Sequence, residues 1–264
     1  MIRDGRTPVV IGIVLAAILM TAHAQAPAPN GNKAAVAESG ADPSGGAAQA
    51  GGANSALIAT ADFNGDGIAD VAEVTTSGGA KKGHGHLTVL LGQRGGGYVA
   101  AGRAVLGDDP RSIAVGDFNG DGKPDLLVAD GDGSVMELLG DGRGNLTDAG
   151  NVAVVGSAVS IAVGDFNHDG ALDLAVSDFR ANAVTIFLGS GNGSFRPVWS
   201  FALPMRGTVF YLAAADFNGD GIADLAISSD EENAFVVMLG NGNGTFTYAP
   251  ALSHIKDPNS YCPA

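Results

Sequence analysis

Cysteine is almost absent from this chain, since Cys262 is the only one among its 264 residues. No disulfide can therefore form within the chain, and its stability must have another source. The lone thiol either links two chains or is incidental to the fold.

Positive charge is also scarce: 14 Lys and Arg residues stand against 28 Asp and Glu, for a formal net charge of −14. A surface this negative repels phosphate backbones and anionic lipid headgroups. Nucleic-acid binding and electrostatic membrane docking are therefore disfavoured, and cations are the natural partners.

Glycine, by contrast, is abundant, with 41 residues and no collagen-like period of three. Hydrophobic residues make up 45% of the chain and charged residues 16%, so a sizeable core is expected. The combination predicts many short strands joined by sharp turns.

The first 24 residues have the three parts of a secretory signal: Arg3 and Arg6, an apolar run over residues 9–20, and an A-x-A site ending at Ala24. The alternative, an uncleaved anchor, needs about 20 apolar residues to span a bilayer. We expect cleavage after Ala24, no membrane insertion afterwards, and a secreted protein, extracellular or periplasmic. Residues 25–55 are rich in Ala, Gly and Pro without apolar periodicity, which predicts a disordered linker.

Four stretches of the remaining chain align with one another, and each contains a D-F-N-x-D-G-x-x-D loop. The first aspartates of these loops recur at intervals of 55, 48 and 51 residues. Intervals of this size suit one propeller blade or solenoid unit. The predicted repeats cover residues 56–108, 109–156, 157–206 and 207–252, and residues 253–264 form a tail without repeat character.

Within each repeat a short apolar run precedes the acidic loop, and two further runs follow it. A glycine-rich turn, such as LGDGRGNL or LGNGNGTF, then precedes a short fourth run. The runs have the length of strands. The sequence therefore predicts an all-β protein, a propeller-type array of four four-stranded antiparallel blades with calcium-binding loops.

Each loop offers oxygen ligands at positions 1, 3, 5 and 9, with a glycine at position 6 for the sharp turn. The predicted side-chain ligands are Asp62, Asn64, Asp66 and Asp70; Asp117, Asn119, Asp121 and Asp125; Asp165, Asn167, Asp169 and Asp173; and Asp216, Asn218, Asp220 and Asp224. The carbonyl at position 7 would add a ligand from Ile68, Lys123, Ala171 and Ile222.

Calcium is the expected cofactor, up to four ions, because it accepts six to eight oxygens in flexible geometry, whereas magnesium demands a strict octahedron. The alternative is that D-x-N-x-D-G is only turn-forming sequence. An EF-hand is excluded because position 12, which needs a bidentate acid, holds Val128, Val176 and Ile227 in three of the loops.

The phenylalanines at position 2 alternate with the ligands, so we expect their rings to pin each loop to the core; stacking on a sugar is the alternative. They are Phe63, Phe118, Phe166 and Phe217. Trp199, Phe210, Tyr211 and Tyr248 are better candidates for an exposed aromatic patch, with burial in the core as the default. His84 and His86 are too few for a metal site and are expected at an exposed hairpin tip.

With these motifs laid out, the chain resembles the FG-GAP and VCBS repeat families over about residues 56–252. The resemblance implies propeller blades similar to those of the integrin α-subunit head, with calcium in loops at one rim and interaction surfaces on a face. Two features depart from the family pattern. His168 stands where the other loops have glycine, and four blades replace the usual seven, which leaves a closed ring, an open arc, a ring completed by a second chain, or a fragment as alternatives.

These observations favour a binding or adhesion module for extracellular carbohydrate or protein, with self-association also open. A structural or truncated repeat protein that needs a partner chain is the second hypothesis, and a calcium-dependent hydrolase the third. We expect no enzyme activity, because G-x-S-x-G and H-E-x-x-H are absent and we assign the paired acids of the loops to metal binding rather than to acid–base catalysis.

Overall fold

The computed structural model describes residues 38–39, 57–76, 84–203, 210–229 and 234–250. The predicted signal segment and the C-terminal tail lie outside these residues, as does the predicted linker except for a two-residue strand, β1. Among the described residues there is no helix long and apolar enough to cross a bilayer.

The described chain folds into four antiparallel sheets, one for each repeat, which we call blades 1 to 4. Blade 1 comprises β1 (Glu38–Ser39), β2 (Leu57–Ala61), β3 (Asp70–Thr76), β4 (Gly85–Gly92) and β5 (Tyr98–Val105), and blade 2 comprises β6 (Pro110–Gly116), β7 (Asp125–Asp130), β8 (Ser134–Gly140) and β9 (Leu146–Val154). Blade 3 comprises β10 (Ala158–Gly164), β11 (Asp173–Asp178), β12 (Ala183–Gly189) and β13 (Phe195–Ala202), and blade 4 comprises β14 (Phe210–Ala215), β15 (Asp224–Ser229), β16 (Ala234–Gly240) and β17 (Phe246–Tyr248).

The strands of each blade follow one another in chain order, as hairpin connections require. The first strands of successive blades are in contact, β2 with β6, β6 with β10 and β10 with β14. The predicted all-β array of four four-stranded blades is therefore confirmed. Blade 1 differs only in the extra strand β1, which pairs with β2.

Every blade has two faces: the incoming face, turned toward the preceding blade, and the outgoing face, turned toward the following one. Side chains alternate between them along each strand. In β7 and β11 every residue is buried, because both faces of blades 2 and 3 are covered.

Three hydrophobic clusters fill the three gaps between neighbouring blades. Leu57, Leu87, Ile113 and Leu126 belong to the first gap, Leu127, Val135, Leu174 and Phe187 to the second, and Ile186, Leu212, Leu225 and Val236 to the third. Since the residues of one gap come from two repeats, neither repeat can bury its apolar faces alone.

The glycine turns tie each blade to its predecessor by the same hydrogen bond. Backbone N–H groups of Gly144, Gly193 and Gly244 donate to the carbonyls of Phe63, Phe118 and Phe166, at 3.0, 2.9 and 3.0 Å. Blade 1 has no predecessor among the described residues, and its corresponding N–H, that of Gly96, donates within its own turn to Gln93 at 2.8 Å. The variant turn LGQRGGGY thus closes on itself.

Replacing Gly144 by alanine is expected to destabilise the protein more than Gly150→Ala does. Both glycines have positive φ, +87° and +96°, which costs an alanine about 1 kcal/mol. A Cβ at Gly144 would lie 2.9 Å from Leu91 Cδ2 and 3.3 Å from the Ala101 Cβ, whereas nothing lies within 4 Å at Gly150. We expect an additional loss of about 1 kcal/mol at Gly144 in urea unfolding. Equal losses would contradict this account of the inter-blade contact.

Candidate metal centre in the repeated loops

Each acidic loop connects the first and second strands of its blade. In blade 1 the loop begins right after β2 ends at Ala61, and its ninth residue, Asp70, is the first residue of β3. Because the glycine turn of each following blade contacts the preceding loop, loops and turns lie along one rim of the array.

The side chain at position 1 curls the loop around itself. In blade 1, Asp62 Oδ1 accepts hydrogen bonds from the N–H groups of Gly65 at 2.8 Å and Asp66 at 3.1 Å. Asp62 Oδ2 accepts one from Gly67 at 2.8 Å. The aspartates at position 1 of the other loops accept the bonds from the residues at positions 5 and 6 in the same way.

The side chains at positions 3 and 5 belong to the same exposed turn. Asn64 Oδ1 accepts the N–H of Asp66 at 2.9 Å, and Asp66 Oδ1 accepts the N–H of Ile68 at 2.8 Å. Asn64 Nδ2 also donates to Asp66 Oδ2 at 3.1 Å. Two carboxylates and one amide therefore share one short turn that is open to solvent.

His168 preserves this geometry in the third loop. Its φ is +62°, close to the +74° of Gly65 at the same position. A residue with a Cβ in the left-handed region costs about 1 kcal/mol relative to glycine. The departure from the family pattern therefore leaves the course of the backbone unchanged.

The carboxylates at position 9 differ from the others because they are fully buried. Asp70 Oδ2 accepts the N–H of Phe63 and Asp70 Oδ1 that of Gly92, both at 2.8 Å. The equivalent pairs of bonds recur at Asp125, Asp173 and Asp224, and all four residues are 0% exposed. The carboxylate at position 9 thus connects each loop by hydrogen bonds to the end of the third strand of its repeat, a role that the sequence analysis did not predict.

Burial raises the pKa of three of the carboxylates at position 9. It raises the pKa of Asp173 to about 6, while N–H groups of Gly189 and Phe166 act in the opposite direction. The pKa values of Asp125 and Asp224 are raised for the same reason.

The pKa values of two carboxylates at positions 1 and 5, those of Asp216 and Asp121, are shifted the other way. Slight burial opposes ionisation of Asp216, but N–H groups of Gly221 and Gly219 outweigh it and lower its pKa. At Asp121, slight burial is likewise outweighed by Lys123, which lowers the pKa. These groups are therefore ionised near neutral pH, the state that binds a cation.

Lys123 distinguishes the second loop from the others. Its ammonium lies 2.9 Å from Asp121 Oδ2. The residues at the same position in the other loops, Ile68, Ala171 and Ile222, carry no charge. The ammonium group of Lys123 thus already pairs with one of the predicted metal ligands of this loop, Asp121.

The donor set of each loop fits a hard cation, since positions 1, 3 and 5 supply oxygen atoms on one exposed turn. Their placement fits less well: among the described residues no three His, Cys, Asp or Glu side chains converge as a metal-holding group. The loop oxygens point instead at backbone N–H groups. Calcium ligation, including that by the carbonyls of position 7, remains a prediction.

The aromatic residues lie mostly in the core. Phe63, Phe118 and Phe166 are at most 2% exposed, as expected for rings that anchor the loops, whereas Phe217 is half-buried. Trp199 stacks on Phe201, with ring centroids 4.6 Å apart, and packs with Tyr248 against the third core. These two residues are half-buried against the core, which is nearer to the default expectation of burial than to an exposed patch.

His84 directly precedes β4, and His86 lies within that strand. His84 Nδ1 lies 2.9 Å from Asp108 Oδ1, and His86 is exposed on β4. His84 and His86 are thus exposed, as expected.

One buried acid escaped the sequence analysis. Glu137, on the outgoing face of blade 2, is 3% exposed, and its Oε1 has no hydrogen-bond partner within the described structure. Burial and the nearby charge of Asp125 raise its pKa to about 7. Blades 1 and 3 have Val89 and Ile186 at this position, and that comparison is the signal that marks Glu137 as unusual.

Family models for two related repeats match this chain. The model of an FG-GAP-like repeat matches residues 74–128, 117–176 and 175–227, and that of an FG-GAP repeat matches residues 212–248. No curated protein matches the chain in sequence.

Among solved structures, the chain is similar to BBS1N in its complex with ARL6DN. The mercury-soaked crystal gives 15% identity and a TM-score of 0.48, covering 77% of this chain and 54% of that one. The lead-soaked crystal gives 15% identity and a TM-score of 0.45, covering 70% and 47%. The chain spans about half the length of these proteins, and similarity of this degree does not identify a function.

The family matches together cover residues 74–248, which is most of the chain, and include the acidic loops of blades 2, 3 and 4. The chain therefore belongs to the FG-GAP repeat family.

Proposed function

We propose that this protein is an exported binding module in which calcium stabilises the blades and an extracellular carbohydrate or protein is the ligand. The observation that supports calcium most directly is the recurrence of one oxygen-rich, exposed turn at the same place in all four blades. Turn formation alone does not require two carboxylates and an amide in each copy.

The role of calcium would be to stabilise the fold. Without a cation, each loop keeps the carboxylates of positions 1 and 5 close together, and their repulsion opposes the closed loop. A bound divalent ion relieves that repulsion at the rim where consecutive blades meet. The chain's own residues provide the scaffold, because position 9 fixes the loop to the third strand.

Export is supported by the pattern of residues 1–24 and is tested by the N-terminal sequence of the protein recovered from culture medium or periplasm. A chain that begins at Gln25 is expected. An intact N-terminus in the cytosolic fraction would contradict export.

Calcium is expected to stabilise residues 25–264 against thermal unfolding relative to chelator, with up to four ions bound. Replacing Asp66 by alanine should remove about 2.7 kcal/mol of this stabilisation when calcium is at one hundred times its dissociation constant. The loss should be smaller for Asp121→Ala, because Lys123 competes for that carboxylate.

Asp148→Ala is the control, since Asp148 is exposed and lies outside the loops. It should leave the calcium response unchanged. No calcium-dependent shift together with no bound metal would show that the loops are only turns.

The ligand is tested separately with a glycan array and with pull-downs from envelope extracts, each with calcium and with chelator. Binding that disappears in chelator is expected. If folded, calcium-loaded protein gave blank results in both assays, the binding function would be contradicted and a structural role in a larger assembly would be favoured.

A further inference from the structure

Asparagine followed by glycine recurs in the acidic loops and in the glycine turns. The described residues contain such pairs at Asn64, Asn119, Asn192, Asn218, Asn241 and Asn243. In such a pair the backbone nitrogen of the glycine can attack Cγ of the asparagine side chain, because glycine has no Cβ to hinder the approach. The attacking nitrogen must first lose its proton. The hydrogen bond that each glycine N–H makes therefore decides which of these asparagines can react.

The three loop asparagines are protected by the aspartate at position 1. The N–H of the glycine that follows each asparagine donates to that carboxylate, at 2.8 Å for Gly65, 2.8 Å for Gly120 and 2.6 Å for Gly219. A carboxylate beside the nitrogen opposes the loss of its proton, since two negative charges would then lie in contact. The loops are therefore expected to retain their amides.

Two of the turn asparagines are protected by the hydrogen bond between neighbouring blades. Asn192 and Asn243 precede Gly193 and Gly244, whose N–H groups donate to carbonyls of the preceding blade at 2.9 and 3.0 Å. Attack by either nitrogen would break this bond and detach the turn from the loop of the preceding blade. Both asparagines are therefore expected to be stable in the folded chain.

Asn241 is the exception, although it lies in the same turn as Asn243. Its side chain is exposed, and the N–H of the following Gly242 has no hydrogen-bond partner among the described residues. The Thr247 hydroxyl donates to Asn241 Oδ1 at 3.0 Å, and a donor there stabilises the negative charge that develops on this oxygen during the attack. Asn243 Oδ1 likewise accepts the Thr245 hydroxyl, at 2.6 Å. The two asparagines thus differ chiefly in the N–H of the glycine that follows.

We propose that Asn241 is a site of spontaneous deamidation in the folded protein, with the backbone nitrogen of Gly242 as the nucleophile. This nitrogen loses its proton and forms a bond to Asn241 Cγ, while the Cγ–Nδ2 bond breaks and ammonia leaves with that proton. Water then opens the cyclic imide, at one carbonyl to give aspartate and at the other to give isoaspartate. No oxidant or reductant takes part.

The fold accommodates an aspartate at this position. Blade 2 carries Asp141 at the equivalent place, where its Oδ1 accepts the N–H groups of Arg143 and Asn145 at 2.7 and 3.1 Å. The conversion therefore adds a negative charge to a turn that tolerates a carboxylate. A Cβ at Gly242 would lie 3.3 Å from Ile222, a residue of the acidic loop of blade 4, so the new charge lies beside a predicted calcium loop.

The test compares two asparagines of one turn in one sample. Residues 25–264 are held in mildly alkaline buffer, with circular dichroism to check that the chain stays folded, and are then digested. Tandem mass spectrometry locates each amide that has become an acid, and a sample digested without incubation corrects for conversion during the digestion. Asn30, which also precedes a glycine, is left out of the comparison because it lies outside the described residues.

We expect Asn241 to convert about ten-fold faster than Asn243 in the folded chain, a factor that corresponds to breaking one hydrogen bond. In urea the two asparagines should convert at similar rates, because glycine follows both. Equal rates in the folded chain, or faster conversion at any other asparagine that precedes a glycine among the described residues, would overturn the proposal.

An Asp216→Ala variant tests the protection independently. It removes the acceptor of the Gly219 N–H, so Asn218 should convert faster than in the wild-type chain, while Asn64 in blade 1 of the same molecule stays unchanged. If Asn218 remained as stable as Asn64, the hydrogen bond of the glycine N–H would not select the reactive site, and the proposal would be overturned. Should the variant fail to fold, the comparison of Asn241 with Asn243 in the wild-type chain still decides.

Discussion

Replacing Asp173 by alanine is expected to destabilise the protein by about 4 kcal/mol in the absence of calcium. Asp173 Oδ1 accepts the N–H of Gly189 at 2.9 Å, and Asp173 Oδ2 accepts that of Phe166 at 2.8 Å, both in buried surroundings. Alanine leaves these donors without a partner, and each unsatisfied buried group costs about 1–3 kcal/mol. The loop of blade 3 would also lose its attachment to β12.

Asp169→Ala is the matched comparison, because Asp169 belongs to the same loop but is exposed. In chelator its replacement should cost less than about 1 kcal/mol, since it removes hydrogen bonds that water can replace. With calcium its cost should rise, whereas the loss at Asp173 should already be large in chelator. Urea unfolding with calcium and in chelator separates the structural role of Asp173 from the predicted metal-binding role of Asp169. If both variants lost a similar free energy of unfolding in chelator, the structural role of position 9 would be contradicted.

Replacing Glu137 by glutamine is expected to stabilise the protein by about 3 kcal/mol at pH 8 and hardly at all at pH 4. The pKa of Glu137 is raised from 4.5 to about 7 in the folded protein by burial and by the charge of Asp125. The folded state therefore holds a proton that the unfolded state releases, and stability falls as pH rises from 4.5 to 7. Above that range the wild-type protein buries a carboxylate whose Oε1 has no partner in the described structure.

The measurement is the free energy of unfolding of the variant minus that of wild type, followed from pH 4 to 8. The difference removes contributions from other raised acids, such as Asp173, that both proteins share. Glu73→Gln, at a half-buried glutamate of β3, is the control, and the Glu137→Gln difference should vary more with pH than the difference that this control gives. A flat difference for Glu137→Gln would show that the residue finds a partner or solvent when it ionises.

Glu137→Ile extends the test, since isoleucine is the residue at this position in blade 3. It removes the unpaired oxygen entirely, and we expect it to stabilise the protein at pH 8 at least as much as glutamine does. The carboxylate adjoins the glycine turn of blade 3, where a Cβ at Gly193 would lie 3.2 Å from Glu137 Oε2. The isoleucine variant should therefore hold blades 2 and 3 together more tightly. Calorimetry should show this as a higher unfolding temperature than that of the wild-type protein.

The blades themselves were predictable from the sequence because their signals are local. Strand-length apolar runs, the loop between the first two runs and the glycine turn before the fourth all recur in each repeat. The observed fourth strands begin at Tyr98, Leu146, Phe195 and Phe246, the closing residues of those turns. Agreement among four copies removes the ambiguity that a single short run would leave.

The role of position 9 was not predictable, because its partners are distant in sequence. Asp70 accepts a hydrogen bond from Gly92, 22 residues later, across the end of another strand. The loop sequence alone suggests that an acid at position 9 is a metal ligand. Only the packing of the third strand beside it shows that the acid instead accepts buried hydrogen bonds. The burial of Glu137 was missed for the same reason, since the turn that covers it belongs to the next repeat.

The sequence by itself determined the number of repeats, the strand order within each blade and the oxygen-rich character of the loops, since these depend on patterns contained within one repeat. The tertiary structure decided which carboxylates are exposed and which are buried and hydrogen-bonded, and how glycine turns join consecutive blades. These features depend on contacts between repeats, and in such contacts the environment of a side chain is set by residues of another blade rather than by its neighbours in sequence.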